Sequence, residues 1–290
     1  MELRVLNYFL MIARESNITK AATLLHVTQP TLSRQLQQLE EELGVKLFER
    51  SNHSIILTED GMLLQRRANE IVSLADKTRR EFLKQDENIS GEIAIGSGEL
   101  RSFSYLSNLL ASFREEYPAI RIDVHSGNAD NIKERIEKGL LDIGLLLEPV
   151  DIGKYEFLRL PGKEIWGILI HNDSNLASKD CIKPHDLIGQ PIIVPNRASL
   201  HSPISNWFGD FYDTLDIIGG YNLIHNIAVI VQRKMGAAFC LKLDTAYENL
   251  TFVPLSPKIE ATTLLVWKKN QMQSRVVFAF LEYVRNALQA

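Results

Sequence analysis

Gln29, Ser33 and Gln37 recur at intervals of four, and Pro30 and Arg34 each follow one of them by a single residue. On a helix that spacing stacks two side-chain amides and a hydroxyl on one face. The chemistry they suit is hydrogen bonding to the edges of bases. A glutamine amide presents a donor and an acceptor together, serine serves either role, arginine reads guanine or holds a phosphate, and proline can touch a thymine methyl group. The hydroxyls of Thr28 and Thr31, with the ammonium of Lys20, would hold phosphates. Residues 16 to 39 contain Lys20 and Arg34 and no acid, as a phosphate-facing surface requires.

A second kind of chemistry belongs to three segments that read as strand ends. Ile95-Gly96-Ser97-Gly98-Glu99 has a Gly-x-Gly turn that lets backbone amides approach a small ligand, with the Ser97 hydroxyl beside it. In His125-Ser126-Gly127-Asn128, Asn128 stands at a helix start and suits a ligand or a plain N-cap. Pro195-Asn196-Arg197-Ala198-Ser199 offers Asn196, Arg197 and Ser199, and the arginine can pair with a carboxylate or phosphate. Ser97, Gly98, Glu99, Asn128, Asn196, Arg197 and Ser199 are therefore the candidate ligand-binding set. Glu99 would repel an anion, which leaves the ligand's charge open between anionic, cationic and hydroxylated classes.

Catalysis has no such support. GxSxG, HExxH and Walker sequences are absent, and the 7 histidines and 2 cysteines show no metal-ligand spacing. No cofactor, metal or catalytic residue is expected. The two distant cysteines indicate a reducing compartment. The apolar run at the N-terminus is broken by Arg4, Asn7 and Arg14, so it fails as a signal peptide, and nothing reaches the ~18 to 20 apolar residues of a membrane span. The cytoplasm is the expected location and no membrane contact is expected. A net charge of -4 gives no bulk attraction to nucleic acid, so any such role must be local.

These residues need elements to hold them. Leu3, Leu6, Phe9, Leu10 and Ala13 form the apolar stripe of a first helix ending near Ser16-Asn17. Thr19 is the expected N-cap of a short second helix, whose Ala21 and Ala22 permit close packing. After His26-Val27, Thr28 caps a third helix with Pro30 in its first turn and Leu32, Leu36, Leu39 and Leu43 as its buried stripe. Two helices joined by so short a turn describe a helix-turn-helix, or else an amphipathic hairpin of some other bundle. Residues 45 to 50 and 54 to 57 then read as a wing around Ser51-Asn52-His53, which makes Arg50 and His53 candidate DNA contacts. From Thr58 a long helix runs to about Lys84, with Leu64, Ala68, Ile71, Ala75, Thr78 and Phe82 spaced by four and three as a dimerisation seam, or as a stripe covered by its own chain.

Beyond residue 89 strand-like runs at 92–97, 120–125, 142–147, 165–170, 191–195, 236–241 and 262–267 alternate with helices at 103–116, 129–138, 204–212, 223–234 and 274–288. That order implies parallel sheets with helices on their faces. Leu160-Pro161-Gly162 separates two lobes. The division expected is 1–57 for the DNA-binding head, 58–89 for the linker helix and 90–290 for the body, with one lobe at 90–161 and 268–290 and the other at 162–267.

The whole chain resembles the LysR-type transcriptional regulators. The residues that carry this are Ala21-Ala22-Thr23-Leu24-Leu25-His26-Val27-Thr28-Gln29-Pro30-Thr31-Leu32-Ser33, Leu39-Glu40, Leu43-Gly44, Leu47-Phe48-Glu49-Arg50 and Leu57-Thr58-Glu59-Asp60-Gly61, with Leu141 to Leu145 and Met235 to Phe239 in the body. The resemblance implies an α+β multidomain protein: a winged helix-turn-helix, a dimerising linker helix and a two-lobed α/β effector domain like type 2 periplasmic binding proteins. It implies sequence-specific binding to double-stranded promoter DNA, a small-molecule effector, a homodimer or homotetramer, and contact with RNA polymerase. A ligand-independent architectural DNA-binding protein is the alternative. Ser51-Asn52-His53-Ser54 departs from the family's more basic wings, so Arg50 would carry most of this wing's phosphate binding.

Overall fold

The structure is a computed structural model that describes residues 1–51, 54–82, 89–196 and 204–289. The chain forms two compact units, Met1–Leu83 and Lys84–Ala290.

In the first unit α1 (Leu3–Glu15) packs against α2 (Ile18–Leu24), α3 (Gln29–Leu43) and α4 (Glu59–Phe82). It buries Val5, Leu6, Phe9 and Ile12, while Leu3 is 41% exposed and Leu10 and Ala13 are half-buried. The stripe is thus turned from the expected one. Apolar residues cover so much of this helix that two stripes share Leu6 and Phe9, and the contacts with the other helices select one.

The N-cap of α2 is Asn17, not Thr19: its side chain accepts from the Lys20 amide at 2.9 Å. Asn17 is extended and sits before the first helical residue, whereas Thr19 lies inside the helix. Ala21 and Ala22 are 0% and 2% exposed, so the close approach they permit is used. The turn into α3 passes through His26 at φ 55, with the Val27 amide donating to the Ala22 carbonyl at 3.0 Å. A left-handed side-chain residue there costs about 1 kcal/mol relative to glycine. Since His26 is exposed, His26→Gly should raise stability by roughly 0.5 kcal/mol after the entropy of glycine is counted. Urea titration checks this, and a lower midpoint would contradict it.

Thr28 caps α3 as expected, and Gly44 ends it at φ 71. Leu32 and Leu39 are buried and Leu36 is half-buried, but Leu43 is 39% exposed because the last turn extends past the core. The wing is an antiparallel pair, β1 (Phe48–Ser51) and β2 (Ser54–Leu57), with Phe48 opposite Leu57. Glu40 ties it to α3: one oxygen accepts from the Leu47 amide at 2.9 Å and the other from Lys46 Nζ at 2.6 Å. Thr58 caps α4 through the Gly61 amide at 2.9 Å.

The seam expected along α4 divides. Ala68 is buried in the head's own core with Leu64 and Val72 beside it. Met62, Leu63, Ile71 and Leu74 are the exposed large apolar residues of this helix among those described. Every residue at four-three spacing satisfies a heptad pattern, but the core of the head claims the near end of the helix first.

The second unit holds two sheets. The first has the order β4 (Ile120–Ser126), β3 (Gly91–Ser97), β5 (Ile143–Leu147), β13 (Thr263–Lys268) and β6 (Tyr155–Arg159). The second runs β11 (Leu250–Pro254), β7 (Glu164–His171), β10 (Ala237–Leu241), β8 (Pro191–Pro195) and β9 (Asp216–Tyr221), with β12 (Glu260–Ala261) also on β7. Helices α5 (Ser102–Glu116), α6 (Ala129–Glu137) and α9 (Arg275–Gln289) belong to the first lobe. The second lobe carries α8 (Ile224–Gln232) and α7, described over residues 204–208, which passes into a tighter turn at Gly209–Thr214 instead of continuing as one helix to Tyr212.

The sheets are mixed rather than parallel. β3 pairs in parallel with β4 and β5, and β8 with β9 and β10, but β13 runs antiparallel to β5 and β6, and β7 antiparallel to β10 and β11. The chain leaves the first sheet after β6 and returns before β13. The return therefore falls at residue 262, not 268, and β13 belongs to the first lobe. Periodicity shows that a run is a strand; it does not show which sheet receives it.

Candidate functional site

Two places gather the candidate residues. In the head, the exposed face of α3 begins at its N-terminus. Thr28, Gln29, Pro30, Thr31, Arg34 and Gln37 are exposed and Ser33 is half-buried. Gln29 Nε2 donates to Ser33 Oγ at 2.8 Å, which aligns both groups along one face. Thr28 and Thr31 share a hydroxyl contact at 2.8 Å. Gln37 Nε2 donates forward to Glu41 Oε1 at 2.9 Å, so it stands at the edge of the acid-free stretch.

Lys20 is less available than its position in the sequence suggests. Its ammonium lies 2.7 Å from Glu15 Oε2, and that hydrogen bond holds the Glu15 carboxyl below its ordinary range. Its positive charge is already shared within the head. The Arg50 side chain, His53 and the Phe82 side chain lie outside the described residues.

In the second unit the carboxyl ends of strands from both sheets meet at a cavity of about 110 Å³. Gly98, Glu99 and Leu100 follow β3, Gly127 and Asn128 follow β4, Asn196 follows β8, and Tyr221 and Asn222 close β9. Open α/β sheets bind ligands at such ends. Leu145, Leu147, Trp166 and Leu241 form apolar wall. Of the expected set, Gly98, Glu99, Asn128 and Asn196 line this cavity. Ser97 is 3% exposed, donates its hydroxyl to the Gly98 carbonyl at 2.8 Å and lines the adjoining mouth instead of this cavity. Arg197 and Ser199 lie outside the described residues. Asn128 is an N-cap, accepting from the Asn131 amide at 2.9 Å, while it also borders the cavity.

Two carboxylates cross between the lobes. Neither α5 nor α8 has a side-chain cap at its own N-cap position. Glu164, 2% exposed at the start of β7, accepts from the Arg101 amide at 3.2 Å and the Ser102 amide at 2.8 Å at the start of α5. In the opposite direction Glu99 accepts from the Ile224 amide at the start of α8. Each lobe thus supplies the negative charge that the other's helix N-terminus favours. Trp166 and Glu164 carry no such signal in the sequence, since neither sits at a glycine-rich strand end, whereas Tyr221 follows Gly219-Gly220 at the end of β9, a signal that could have found it.

Burial raises the Tyr221 hydroxyl well above its ordinary value, with Cys240 and Glu99 adding to it, and this hydroxyl donates to the Phe239 carbonyl at 2.9 Å. Burial pushes the Cys240 thiol up to about 12, against a hydrogen bond from the Leu169 backbone that acts the other way, with Glu99 reinforcing the rise. Such a thiol stays protonated and inert.

Comparison with known proteins places this arrangement. A family model for the LysR substrate binding domain matches residues 86–289, and one for the bacterial regulatory helix-turn-helix protein of the lysR family matches residues 3–62. The chain belongs to the LysR family of transcriptional regulators. It is 27% identical to the uncharacterized HTH-type transcriptional regulator YybE of Bacillus subtilis (strain 168), over 98% of each chain. It is 30% identical to the HTH-type transcriptional regulator BsdA of the same organism, over 72% of each. Among solved structures, full-length CbnR complexed with its target DNA has a TM-score of 0.75 at 21% identity, covering 99% of this chain and 100% of that one, a likeness of fold. As a LysR regulator the chain is a DNA-binding helix-turn-helix protein with a substrate-binding domain, and it is not an enzyme.

Proposed function

We propose that this LysR regulator reads operator DNA with the exposed face of α3 and is modulated by a small molecule bound between the two lobes. The observation that carries the first half is the acid-free polar face from Thr28 to Gln37, ordered by the Gln29–Ser33 hydrogen bond at 2.8 Å. Gln29, Pro30, Ser33, Arg34 and Gln37 would read bases, Thr28, Thr31 and Lys20 would hold phosphates, and Arg50 and His53 would supply the wing's contacts. A strand-end cavity supports the second half, and it disfavours the ligand-independent architectural reading, which needs no cavity. A second copy would cover Ile71, Leu74, Ala75 and Thr78 on α4, with Leu63 continuing the apolar strip; a cytoplasmic location and pairing of dimers fit the same scheme. Leu64 and Ala68 would support that interface only from the core side.

The test is binding by the full-length chain to fragments recovered from genomic DNA that it retains. Gln29→Ala should cost about 1–3 kcal/mol of discrimination at one or two base pairs and leave non-specific binding unchanged. Arg50→Ala should weaken binding to all sequences alike and reduce the slope of log affinity against log salt by about 1. Unchanged affinity, base preference and salt slope in both variants would remove α3 and the wing as the reading surface.

A further inference from the structure

The cavity between the lobes already contains an anion of its own. Among the described residues that line it, Glu99 is the one charged group; the others are apolar, amide or aromatic. Its carboxylate accepts from the Ile224 amide, so it occupies the place at the α8 N-terminus where a ligand's carboxylate would otherwise gain most. The α8 cap position offers no side chain to compete with it.

Three of the remaining polar atoms are committed within the protein. Asn128 Oδ1 is taken by the Asn131 amide at 2.9 Å, Asn222 Oδ1 by the Leu223 amide at 3.0 Å, and the Tyr221 hydroxyl donates to the Phe239 carbonyl at 2.9 Å. At the adjoining mouth the Arg101 guanidinium is paired with Asp244 at 2.6 Å, so it does not offset Glu99. The field of Glu99 reaches Tyr221, Cys240 and Tyr247, helping to raise all three behind the larger effect of burial.

Resting on the reading of this cavity as the effector site, we propose that Glu99 is its specificity-determining residue: it excludes carboxylate ligands and serves as counter-charge to a small cationic one, an alkylammonium or similar group. A cation approaching the carboxylate gains a charge-assisted hydrogen bond inside a wall that includes Trp166 and Tyr221. An anion must first displace a tethered carboxylate from the helix and then sit beside it. The ligand therefore acts on a group that joins the two lobes. A cation that draws Glu99 toward itself alters the link between the β3 end and α8, which is where a change in lobe angle would begin.

The experiment uses the full-length protein with ethylammonium chloride and sodium acetate as probes, each against sodium chloride at equal ionic strength, read by thermal shift of the C-terminal unit and by calorimetric titration. Ethylammonium should stabilise the wild type and acetate should not. Glu99→Gln keeps an acceptor for the Ile224 amide, so it should fold normally and bind ethylammonium about thirtyfold more weakly or not at all. Glu99→Ala leaves the α8 N-terminus open and should become stabilised by acetate, the missing carboxylate supplied from solution. Leu243→Trp, which narrows the cavity, should remove both effects. Acetate binding to the wild type that Leu243→Trp abolishes would overturn the role of Glu99 while leaving the cavity as the effector site. Probe effects indifferent to both Glu99 and Leu243 would overturn the cavity itself.

Discussion

Gly61→Ala should strongly destabilise the head while leaving the larger unit intact. Helix propensity argues the reverse, because alanine within a helix is favoured over glycine by about 1 kcal/mol. The contact decides otherwise. A Cβ at position 61 would stand 2.1 Å from the Leu47 carbonyl oxygen and 2.9 Å from Leu57 Cδ2. That carbonyl also accepts from the Thr58 amide at 3.0 Å, and the Thr58 hydroxyl donates to the Lys46 carbonyl at 2.6 Å, so the wing cannot retreat without breaking the junction with α4. Overpacking of about 1–3 kcal/mol, together with a stranded backbone donor worth about 1–3 kcal/mol, outweighs the propensity gain. We expect a net loss of about 2–4 kcal/mol, a fall of roughly 10–20 °C in the melting of a unit of this size, and loss of operator binding. Differential scanning calorimetry should show the second unit's transition unmoved. A head that melts higher would mean the backbone at Leu47 yields freely.

Glu164→Ala should do the complementary damage. It removes the acceptor for the Arg101 and Ser102 amides and for the Thr263 hydroxyl, which donates at 3.4 Å, and it empties a site that is 2% exposed. Loss of a cap costs about 1–2 kcal/mol, and a buried donor left without a partner adds a comparable amount. The expected fall is about 2–4 kcal/mol in the second unit, or roughly 5–15 °C, with the head's transition and DNA affinity unchanged until the lobes melt. Glu164→Gln retains one acceptor oxygen and should fall between the two. If Glu164→Ala melts with the wild type, the carboxylate is not what holds the start of α5 to the second lobe.

The two variants mark a difference in how the units were encoded. The head was legible because its signals are local: Thr28 before Gln29-Pro30, Gly44 after Leu43, and Thr58 with Glu59 and Asp60 each lie within one turn of the element they start or stop. The β3, β4 and β5 ends and the Gly98, Asn128 and Asn196 positions were likewise readable from strand-like runs followed by turn residues. Four strands escaped notice. β6, β9, β11 and β12 are short or glycine-containing, as in Asp216-Ile217-Ile218-Gly219-Gly220-Tyr221, and β9 leaves much of its length exposed. Neither alternation nor an apolar run therefore announced them. The place of Ser97 was less legible, because a hydroxyl beside a Gly-x-Gly turn reads the same whether it lines the cavity or the adjoining mouth.

What the sequence determined alone is the helices and wing of the head, the caps of α3 and α4 and the polar character of the α3 face, since these follow from residues a few positions apart. Tertiary structure decided which apolar stripe of α1 and α4 turns inward, which sheet receives β13, and that Glu99 and Glu164 cap helices 125 and 62 residues away. The reason is physical. A helix N-terminus attracts any carboxylate of suitable reach, and a strand accepts any edge of matching register, so the partner is chosen when the chain closes on itself and only then acquires a function.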